Sequence, residues 1–417
     1  MKTILFLLTV FTPSLIIAQN TAIPDSNFEQ ALIDVWLDSP PLNGSVPTAN
    51  IDTVTVLYIT NKNITNLTGI EDFIAITEIH ANHNQLTNLN LSQNPALKVL
   101  NCLNNQLTSI NITQNSQLTS LECSYNQLTS LDVTQNTGLI YLSFNNNQIS
   151  NIDVTQNNNL EWLACSNNQL STLNTNQNSL LKWLYCDYNQ LASINLTQNP
   201  LLDQIVCENN NISSLDLSQN NIVTWVVCDS NQLTNLNVTQ NILLEHFTCS
   251  SNQITSLDVS QNTALDVFYC HNNQLTCLNI KNGTNSNLYD FAAINNPNLT
   301  CIEVDNVGWS NANWLYIDPQ TSFSTNCPNS CLVGIEENSL SNLSLFPNPT
   351  TGNFTITQLE QFADGNIKII NLMGQVIFSQ SIQNHQMSVN LSEYNKGIYL
   401  VKISSDKEQV IEKIVLE

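Results

Sequence analysis

Hydrophobic positions recur along this chain with a period of 21 residues. Aligning the chain with itself at that spacing superimposes LTSLECSYNQLTSLDVTQNTG, LEWLACSNNQLSTLNTNQNS and LEHFTCSSNQITSLDVSQNTA. Positions one, four, six, eleven, fourteen and sixteen of each unit are apolar, so one unit alone cannot shield them and neighbouring units must stack. Twelve units begin at Val54, Ile76, Leu97, Leu118, Leu139, Leu160, Leu181, Leu202, Val223, Leu244, Leu265 and Leu288.

Each unit predicts one short strand and two tight turns. Positions three to five have strand periodicity, and stacked units should pair these strands into one parallel sheet. Asparagine recurs at position nine, from Asn105 to Asn273, where its amide can satisfy backbone groups that no strand covers. Asn115, Asn136 and their equivalents should do the same at the second turn.

The repeated unit resembles the leucine-rich repeat, LxxLxLxxNxL, with cysteine usually at the third apolar place. The resemblance implies a mainly β fold. It predicts a right-handed solenoid with a parallel sheet on its concave side.

Both ends of the solenoid are expected to be capped. Ser26 and Glu29 form an S-x-x-E capping box, and Phe28, Leu32 and Trp36 share one face of the helix that would follow. At the other end the period breaks, which predicts a C-terminal cap.

Eight of the twelve cysteines follow the repeat. They occupy position six, which also accepts Ala81 and Phe144 and is therefore a core position. Stacked side chains should keep their Cβ atoms near the strand spacing of about 4.8 Å, beyond the mean of about 3.8 Å in disulfides. We expect buried thiols, and no zinc site because the row is linear. These cysteines are Cys102, Cys123, Cys165, Cys186, Cys207, Cys228, Cys249 and Cys270.

The other four cysteines, Cys277, Cys301, Cys327 and Cys331, lie near the end of the repeats and are candidates for disulfides. Cys277 and Cys301 occupy equivalent places in LTCLNI and LTCIEV, so this pair is favoured, although four cysteines allow three pairings.

The N-terminus and the net charge limit where the protein works and what it binds. Lys2, an apolar run and a small residue before Gln19 predict a signal peptide, and no later stretch is long and apolar enough to span a bilayer. The chain has 33 acidic residues, ten lysines, no arginine and a net charge of −23. Nucleic acid is excluded as a partner because its phosphates would be repelled.

After the repeats the composition changes to that of an independent β domain. The segments PNPTTG, LMGQVI and KGIYLVKI occur in order, and Tyr399, Val401 and Ile403 alternate with apolar neighbours. This tail resembles the C-terminal sorting domain of Bacteroidetes proteins exported by the type IX secretion system. The resemblance implies an immunoglobulin-like β-sandwich, contact with the secretion machinery, removal of the domain, and release or surface attachment without a transmembrane segment.

No sequence motif supports catalysis. A GxSxG elbow, a P-loop, a dinucleotide fingerprint and HExxH are all missing, and the histidines are scattered. We therefore expect no enzyme activity, no catalytic residues, no cofactor and no bound metal.

Aromatic residues at positions three and five, which should point outward from the concave sheet, predict a recognition surface. A protein ligand is favoured, in an adhesin-like role. The alternatives are a carbohydrate stacked on the rings, a structural surface component, or aromatics that merely suit strands. The predicted ligand-binding residues are Tyr141, Trp162, Trp183, Tyr185, Trp225 and Tyr269.

The sequence thus predicts a secreted or outer-surface protein of five segments. They are a signal peptide (1–18), an N-terminal helical cap (19–53), the solenoid (54–304), a C-terminal cap and linker (305–343) and the sorting domain (344–417).

Overall fold

A computed structural model describes residues 19–328, 331, 344–357, 359, 362, 365–371, 375–405 and 409–417. It divides into two compact units, Met1–Cys331 and Leu332–Glu417. The predicted signal peptide, residues 1–18, and residues 332–343 of the predicted linker lie outside the described residues.

The first unit begins with a small α/β layer that covers the first coil. It contains β1 (Asn20–Ala22), α1 (Ser26–Asp34), β2 (Ser45–Pro47) and α2 (Thr48–Ile51), with β1 and β2 antiparallel. Phe28 and Leu32 of α1 are buried and belong to the same continuous core as the repeats. The layer therefore keeps water from the first coil.

The predicted capping box is wrong. Asp25 is the N-cap, and its side chain accepts hydrogen bonds from the backbone N–H of Asn27 and Phe28 at 2.9 and 3.0 Å. Glu29 instead accepts the backbone N–H of Gly44 at 3.0 Å, in the turn before β2. Trp36 lies beyond the helix end, has a φ of 63° and is 92% exposed, so it does not share the buried face.

The repeats form a solenoid with one strand per coil, as predicted, and a second set of strands in the last coils. The strands are β3 (Val56–Tyr58), β4 (Glu78–His80), β5 (Val99–Asn101), β6 (Ser120–Glu122), β7 (Tyr141–Ser143), β8 (Trp162–Ala164), β9 (Trp183–Tyr185), β10 (Gln204–Val206), β11 (Trp225–Val227), β12 (His246–Thr248), β13 (Ser256–Asp258), β14 (Val267–Tyr269), β15 (Cys277–Asn279), β16 (Asp290–Ala292), β17 (Cys301–Glu303) and β18 (Ser322–Ser324). A 3₁₀ turn, Ile70–Asp72, lies between β3 and β4, and another, Asn285–Asn287, between β15 and β16.

Twelve of these strands make one parallel sheet, called the concave sheet below. Its order is β3 to β12, then β14 and β16, with position three of each coil paired with position three of the next. The strands β13, β15, β17 and β18 form a second parallel sheet. Position four of every coil is buried beneath the concave sheet.

The asparagines act as predicted. The Nδ2 of Asn105 donates to the carbonyls of Ala81 and Cys102, both at 3.0 Å, and its Oδ1 accepts the N–H of Leu86 at 3.0 Å. At the second turn, Nδ2 of Asn115 donates to the carbonyls of Leu91 and Asn94. Each amide therefore links its coil to the preceding one.

The eight cysteines at position six are free and fully buried, which confirms the predicted ladder of core thiols. Burial raises the pKa of Cys102 to about 12, so the thiols stay protonated. They pack as small apolar side chains.

The C-terminal end of the solenoid is closed by α3 (Val307–Asn313) and by two disulfides. Trp314, just after α3, is buried, and its Nε1 donates to the carbonyl of Leu288 at 3.1 Å. Its ring lies 4.8 Å from that of Phe291 and 5.8 Å from that of Phe323, measured between centroids. The indole therefore fills the space that another coil would occupy.

The favoured disulfide pair is wrong, although both of its cysteines are disulfide-bonded. Cys277 joins Cys331, and Cys301 joins Cys327. Cys277 and Cys301 begin the paired parallel strands β15 and β17, whose spacing separates them in the way that it separates the ladder thiols. Cys327 and Cys331 follow the last strand, so strand register does not hold them apart.

The second unit consists of two antiparallel sheets, consistent with a β-sandwich. Its strands are β19 (Ser344–Phe346), β20 (Asn353–Thr357), β21 (Asn366–Asn371), β22 (Val376–Ser381), β23 (Gln386–Asn390), β24 (Gly397–Ser404) and β25 (Gln409–Leu416). The sheet orders are β19-β20-β23 and β22-β21-β24-β25. In β24, Tyr399, Val401 and Ile403 are buried while Ile398 and Leu400 are exposed, as the alternation predicts.

Candidate functional site

The concave sheet presents positions three and five of each coil on its outer face. In most strands these two residues are partly exposed and the residue between them is buried. Val267 differs from the prediction, since it is buried at position three. Side chains at the outward positions are free of the core and can vary from coil to coil.

Four of the six predicted ligand-binding residues form one aromatic cluster. The ring centroid of Trp162 lies 5.7 Å from that of Tyr141, 5.5 Å from Trp183 and 5.0 Å from Tyr185. These separations are typical of favourable aromatic pairs. Each of the four side chains is only partly exposed, because the rings cover one another as well as the sheet.

The aromatic cluster borders an open pocket of about 340 Å³, called the aromatic pocket below. This volume lies at the lower end of the range for small-ligand pockets, roughly 300 to 1,000 Å³. The residues that line it are Leu103, Glu122, Ser124, Tyr125, Tyr141, Ser143, Asn145, Trp162, Ala164, Ser166 and Tyr185.

The pocket exists because side-chain size changes along position five. Ser143 and Ala164 occupy this position in two successive coils, between Glu122 on one side and Tyr185 on the other. Two small residues between two large ones leave a hollow at this point of the sheet. The pocket was not predicted, although the change in side-chain size at position five is readable from the sequence.

A connected set of hydrogen bonds lies around the pocket floor. Glu122 accepts the hydroxyl of Tyr141 and the N–H of Ser124, both at 2.9 Å. The hydroxyls of Ser124 and Ser143 are 2.8 Å apart, and Asn145 Nδ2 donates to Ser143 at 3.3 Å. Burial and the charge of Glu122 raise the pKa of Tyr141 to about 12, so its hydroxyl remains a donor to that carboxylate.

Two exposed tyrosines beside the aromatic cluster have an unusual backbone conformation. Position eight has a positive φ in most coils, and asparagine, serine or histidine usually occupies it. Tyr125 and Tyr188 are there at φ values of 53° and 50°, and they are 56% and 49% exposed. A bulky residue is disfavoured in the left-handed region, and such strain is often found at functional sites. Tyr125 was not among the predicted ligand-binding residues.

The other two predicted residues are separate from the aromatic cluster. Trp225 is 38% exposed and stacks on His246 with ring centroids 3.6 Å apart. Burial lowers the pKa of His246, which favours a neutral imidazole in this stack. Tyr269 donates its hydroxyl to Asp290. The six predicted residues are therefore one cluster and two outlying positions.

A row of carboxylates runs along position seven beside the sheet. The acidic row consists of Asp187, Glu208 and Asp229 in three successive coils. Burial raises the pKa of Asp187. The pKa of Glu208 is also raised, first by burial and then by the charges of Asp229 and Asp187. The two neighbouring charges oppose ionisation of Glu208, and within the part of the chain that the structure describes none of the three carboxylates forms an ion pair.

On the strand-entry side of the same coils runs an apolar ridge at position 21. Its members are between 39% and 47% exposed in four successive coils, although an isolated solenoid gains nothing from exposing them. The apolar ridge consists of Leu180, Leu201, Ile222 and Leu243.

Metal-ligand groups and reactive thiols are both absent from the described residues. Among residues 19–328 and the other described positions, no group of three or more histidines, cysteines or acidic residues could hold a metal ion. The ladder thiols are buried and protonated, so they are not nucleophiles.

Comparison with solved structures agrees with this architecture. The chain superimposes on the functional domain of InlJ from Listeria monocytogenes, which includes a cysteine ladder, with a TM-score of 0.63 and 24% identity over 96% of this chain and 99% of that one. It also superimposes on the internalin InlF from Listeria monocytogenes, with a TM-score of 0.55 and 19% identity over 75% of this chain and 100% of that one. At these identities the likeness establishes the leucine-rich-repeat fold alone.

Comparison with protein families identifies the second unit. Residues 344–417 match the Secretion system C-terminal sorting domain, the domain of type IX export. The ulvan lyase NLR42 of Nonlabens ulvanivorans is 22% identical over 82 residues, 19% of this chain, and the chain spans 15% of that relative's length. The helices that the structure describes are all too short or too polar to cross a membrane. The protein thus combines a leucine-rich-repeat solenoid with a type IX sorting domain, which directs it to secretion or to the outer cell surface.

Proposed function

We propose that this is an adhesin-like recognition protein that binds a protein ligand across the concave sheet, without catalysis. The observation that carries the proposal is the aromatic cluster beside the aromatic pocket. Partly exposed tryptophans and tyrosines grouped near the centre of a surface are typical of binding hot spots. Such solenoids present extended surfaces to their partners.

The apolar ridge favours a protein over a carbohydrate. Exposed leucine and isoleucine side chains add apolar area beside the rings, and such area suits the apolar core of a protein interface. The ridge, the aromatic cluster and the acidic row lie in overlapping sets of coils and share the coil that begins at Leu181, so together they make one continuous footprint along the solenoid.

The proposal is tested by display selection. The chain from residue 19 onward is used to select from a random-peptide library, and a glycan array is probed in parallel. Selected peptides should lose about 2 kcal/mol or more of binding free energy with Trp162→Ala or Trp183→Ala. Trp225→Ala tests whether the outlying stack belongs to the footprint.

Val99→Ala is the matched control, because Val99 points outward from the same sheet outside the aromatic cluster. Trp162→Phe keeps a ring in place and separates binding loss from loss of packing, which thermal melting of each variant reports. Unchanged affinity in all three tryptophan variants contradicts the proposal. Glycan binding without peptide binding favours the carbohydrate alternative.

A further inference from the structure

The aromatic pocket combines ring surfaces with a carboxylate and no positive charge. Tyr125, Tyr141, Trp162 and Tyr185 line it together with Glu122, and none of the lining residues that the structure describes is basic. Aromatic faces attract cations through the negative charge of their π-systems, and a carboxylate adds a full charge to that attraction. The pocket walls thus favour a cationic ligand.

The hydrogen bonds of the floor favour a cation over a sugar. The serine hydroxyls contact each other, Asn145 Nδ2 donates to Ser143, and Ser166 donates its hydroxyl to Asp187. Asn145, Ser166 and one of the two paired serine hydroxyls are therefore engaged as donors, whereas the Nε1 of Trp162 has no hydrogen-bond partner among the residues that the structure describes. Glu122 has two acceptor oxygens, each able to accept a further hydrogen bond. A sugar hydroxyl needs donors and acceptors, whereas an ammonium or guanidinium needs acceptors alone.

One internal contact already places a cation on this cluster. The Nζ of Lys182 lies 5.9 Å from the centroid of the Trp183 ring while it pairs with Glu161 at 2.7 Å. Lys182 thus contacts both an indole ring and a carboxylate. In the pocket, Trp162 and Glu122 offer the same two groups to a ligand.

The charge around the pocket is complementary to a basic segment. The acidic row begins at Asp187, which is linked to the pocket through Ser166, and continues over two more coils. Burial raises the pKa of Asp187, and burial followed by the charges of Asp229 and Asp187 raises the pKa of Glu208, so a nearby cation would stabilise both ionised carboxylates. A positively charged chain lying along the row would provide such a cation.

We infer that the aromatic pocket binds a lysine or arginine side chain of the protein partner, held by the rings and Glu122, while the acidic row contacts further basic residues of the same segment. This inference rests on the proposed function and names the chemistry of the ligand. It assigns a role to Glu122, Tyr125 and the acidic row.

The test uses the chain from residue 19 onward and two pentapeptides, Gly-Lys-Gly-Lys-Gly and its norleucine counterpart, both blocked at their ends. Norleucine keeps most of the apolar stem and lacks the charge. Binding is followed by tryptophan fluorescence. The lysine peptide should bind at least ten times more tightly than the norleucine peptide, and added salt should reduce the difference.

Two variants locate the interaction. Glu122→Gln should weaken binding of the lysine peptide at least tenfold, whereas Glu78→Gln, the same change on an outward residue of β4 outside the pocket, should leave it within twofold. Ala164→Leu fills the hollow and should reduce binding of both peptides. Thermal melting verifies that each variant is folded.

Equal affinity for the two peptides, or no binding of the lysine peptide, overturns the inference. So does a Glu122→Gln variant that binds as well as the unaltered protein. A different result contradicts the proposed function: unchanged affinity of the selected peptides for all three tryptophan variants. Glycan binding that Glu122→Gln leaves intact overturns the inference in favour of a carbohydrate ligand.

Discussion

Two stretches of the concave sheet, β4–β6 and β7–β9, share one scaffold and differ in the surface that they present. Both have a buried aliphatic residue at position four, and both pair strand to strand in the same register. Position three reads Glu78, Val99 and Ser120 in the first stretch and Tyr141, Trp162 and Trp183 in the second.

The outward aromatic residues of β7–β9 are not required by the sheet itself. If rings were needed to shield the sheet or to favour strands, β4–β6 should need them too. That stretch pairs fully without them. The aromatic cluster is therefore an addition to the scaffold, which supports a role in recognition.

The largest expected effect tests whether the scaffold is the same in both stretches. Asn105→Ala and Asn189→Ala each remove an amide that donates to two carbonyls and accepts one N–H. The carbonyls keep hydrogen bonds from other asparagine amides, but the buried N–H of Leu86 or of Leu170 is left without a partner, which should cost about 2 kcal/mol of unfolding free energy in either stretch. Denaturant unfolding measures it.

Asn211→Ala, at an exposed position ten, serves as the control and should cost little. If the unfolding free energy falls much less with Asn189→Ala than with Asn105→Ala, the coils of β7–β9 have a different scaffold from those of β4–β6. The comparison would then lose its basis.

Two substitutions at position eight should change the unfolding free energy by a smaller amount and in opposite directions. Tyr188→Asn should raise the unfolding free energy by about 1 kcal/mol, because asparagine tolerates the left-handed conformation better than tyrosine. Asn104→Tyr makes the reverse change at position eight of the coil that contains β5. It should lower the unfolding free energy by a similar amount. Chemical denaturation of both variants measures the pair. If Tyr188→Asn is more stable and binds the selected peptides normally, Tyr188 does not contribute to binding.

The smallest expected effect concerns charge and is read from its pH dependence. Burial raises the pKa of Asp187 above 3.8, so its ionised form opposes folding at neutral pH. Asp187→Asn should stabilise the protein at pH 7 by less than about 1 kcal/mol. The gain should shrink as the pH falls through the raised pKa, because the native carboxyl then takes up its proton.

Asp132, which follows β6 in the same coil, provides the contrast. Hydrogen bonds from Thr134 hold the pKa of Asp132 below 3.8, so its charge favours folding. Asp132→Asn should therefore destabilise, and the loss should disappear as the pH falls through the lowered pKa. Melting curves between pH 3 and pH 7 would show opposite trends for the two variants. Parallel trends would contradict the assignment of a buried, uncompensated charge to the acidic row.

The solenoid was predictable because each of its interactions is repeated in the sequence. The buried positions, the asparagine amides and the ladder thiols all follow the 21-residue period, and stacking is the arrangement that buries them. Irregular segments carry no such signal. Ser26 fits the capping pattern as well as Asp25 does, and only the first coil decides, because Thr65 donates its N–H to Asp25 at 2.7 Å.

The candidate site was predictable only in part. Outward aromatics are visible in the repeat, and the structure brings four of them, Tyr141, Trp162, Trp183 and Tyr185, into contact, while their role in binding stays a prediction. The pocket was not foreseen because it depends on small residues, whose effect appears only when adjacent coils are compared. Trp225 and Tyr269 could not be separated from the cluster without knowing which rings are in contact.

The disulfide between Cys277 and Cys331 also has a mechanical consequence. Hydrogen bonds between coils run along the solenoid, so tension between its two ends would peel coils away in turn, each releasing roughly 70 Å of extended chain. The two cysteines of this disulfide are 54 residues apart in the sequence. Force that enters at Cys331 passes directly to Cys277, so the enclosed coils and their tryptophan plug carry no load and stay folded while coils nearer the N-terminus yield.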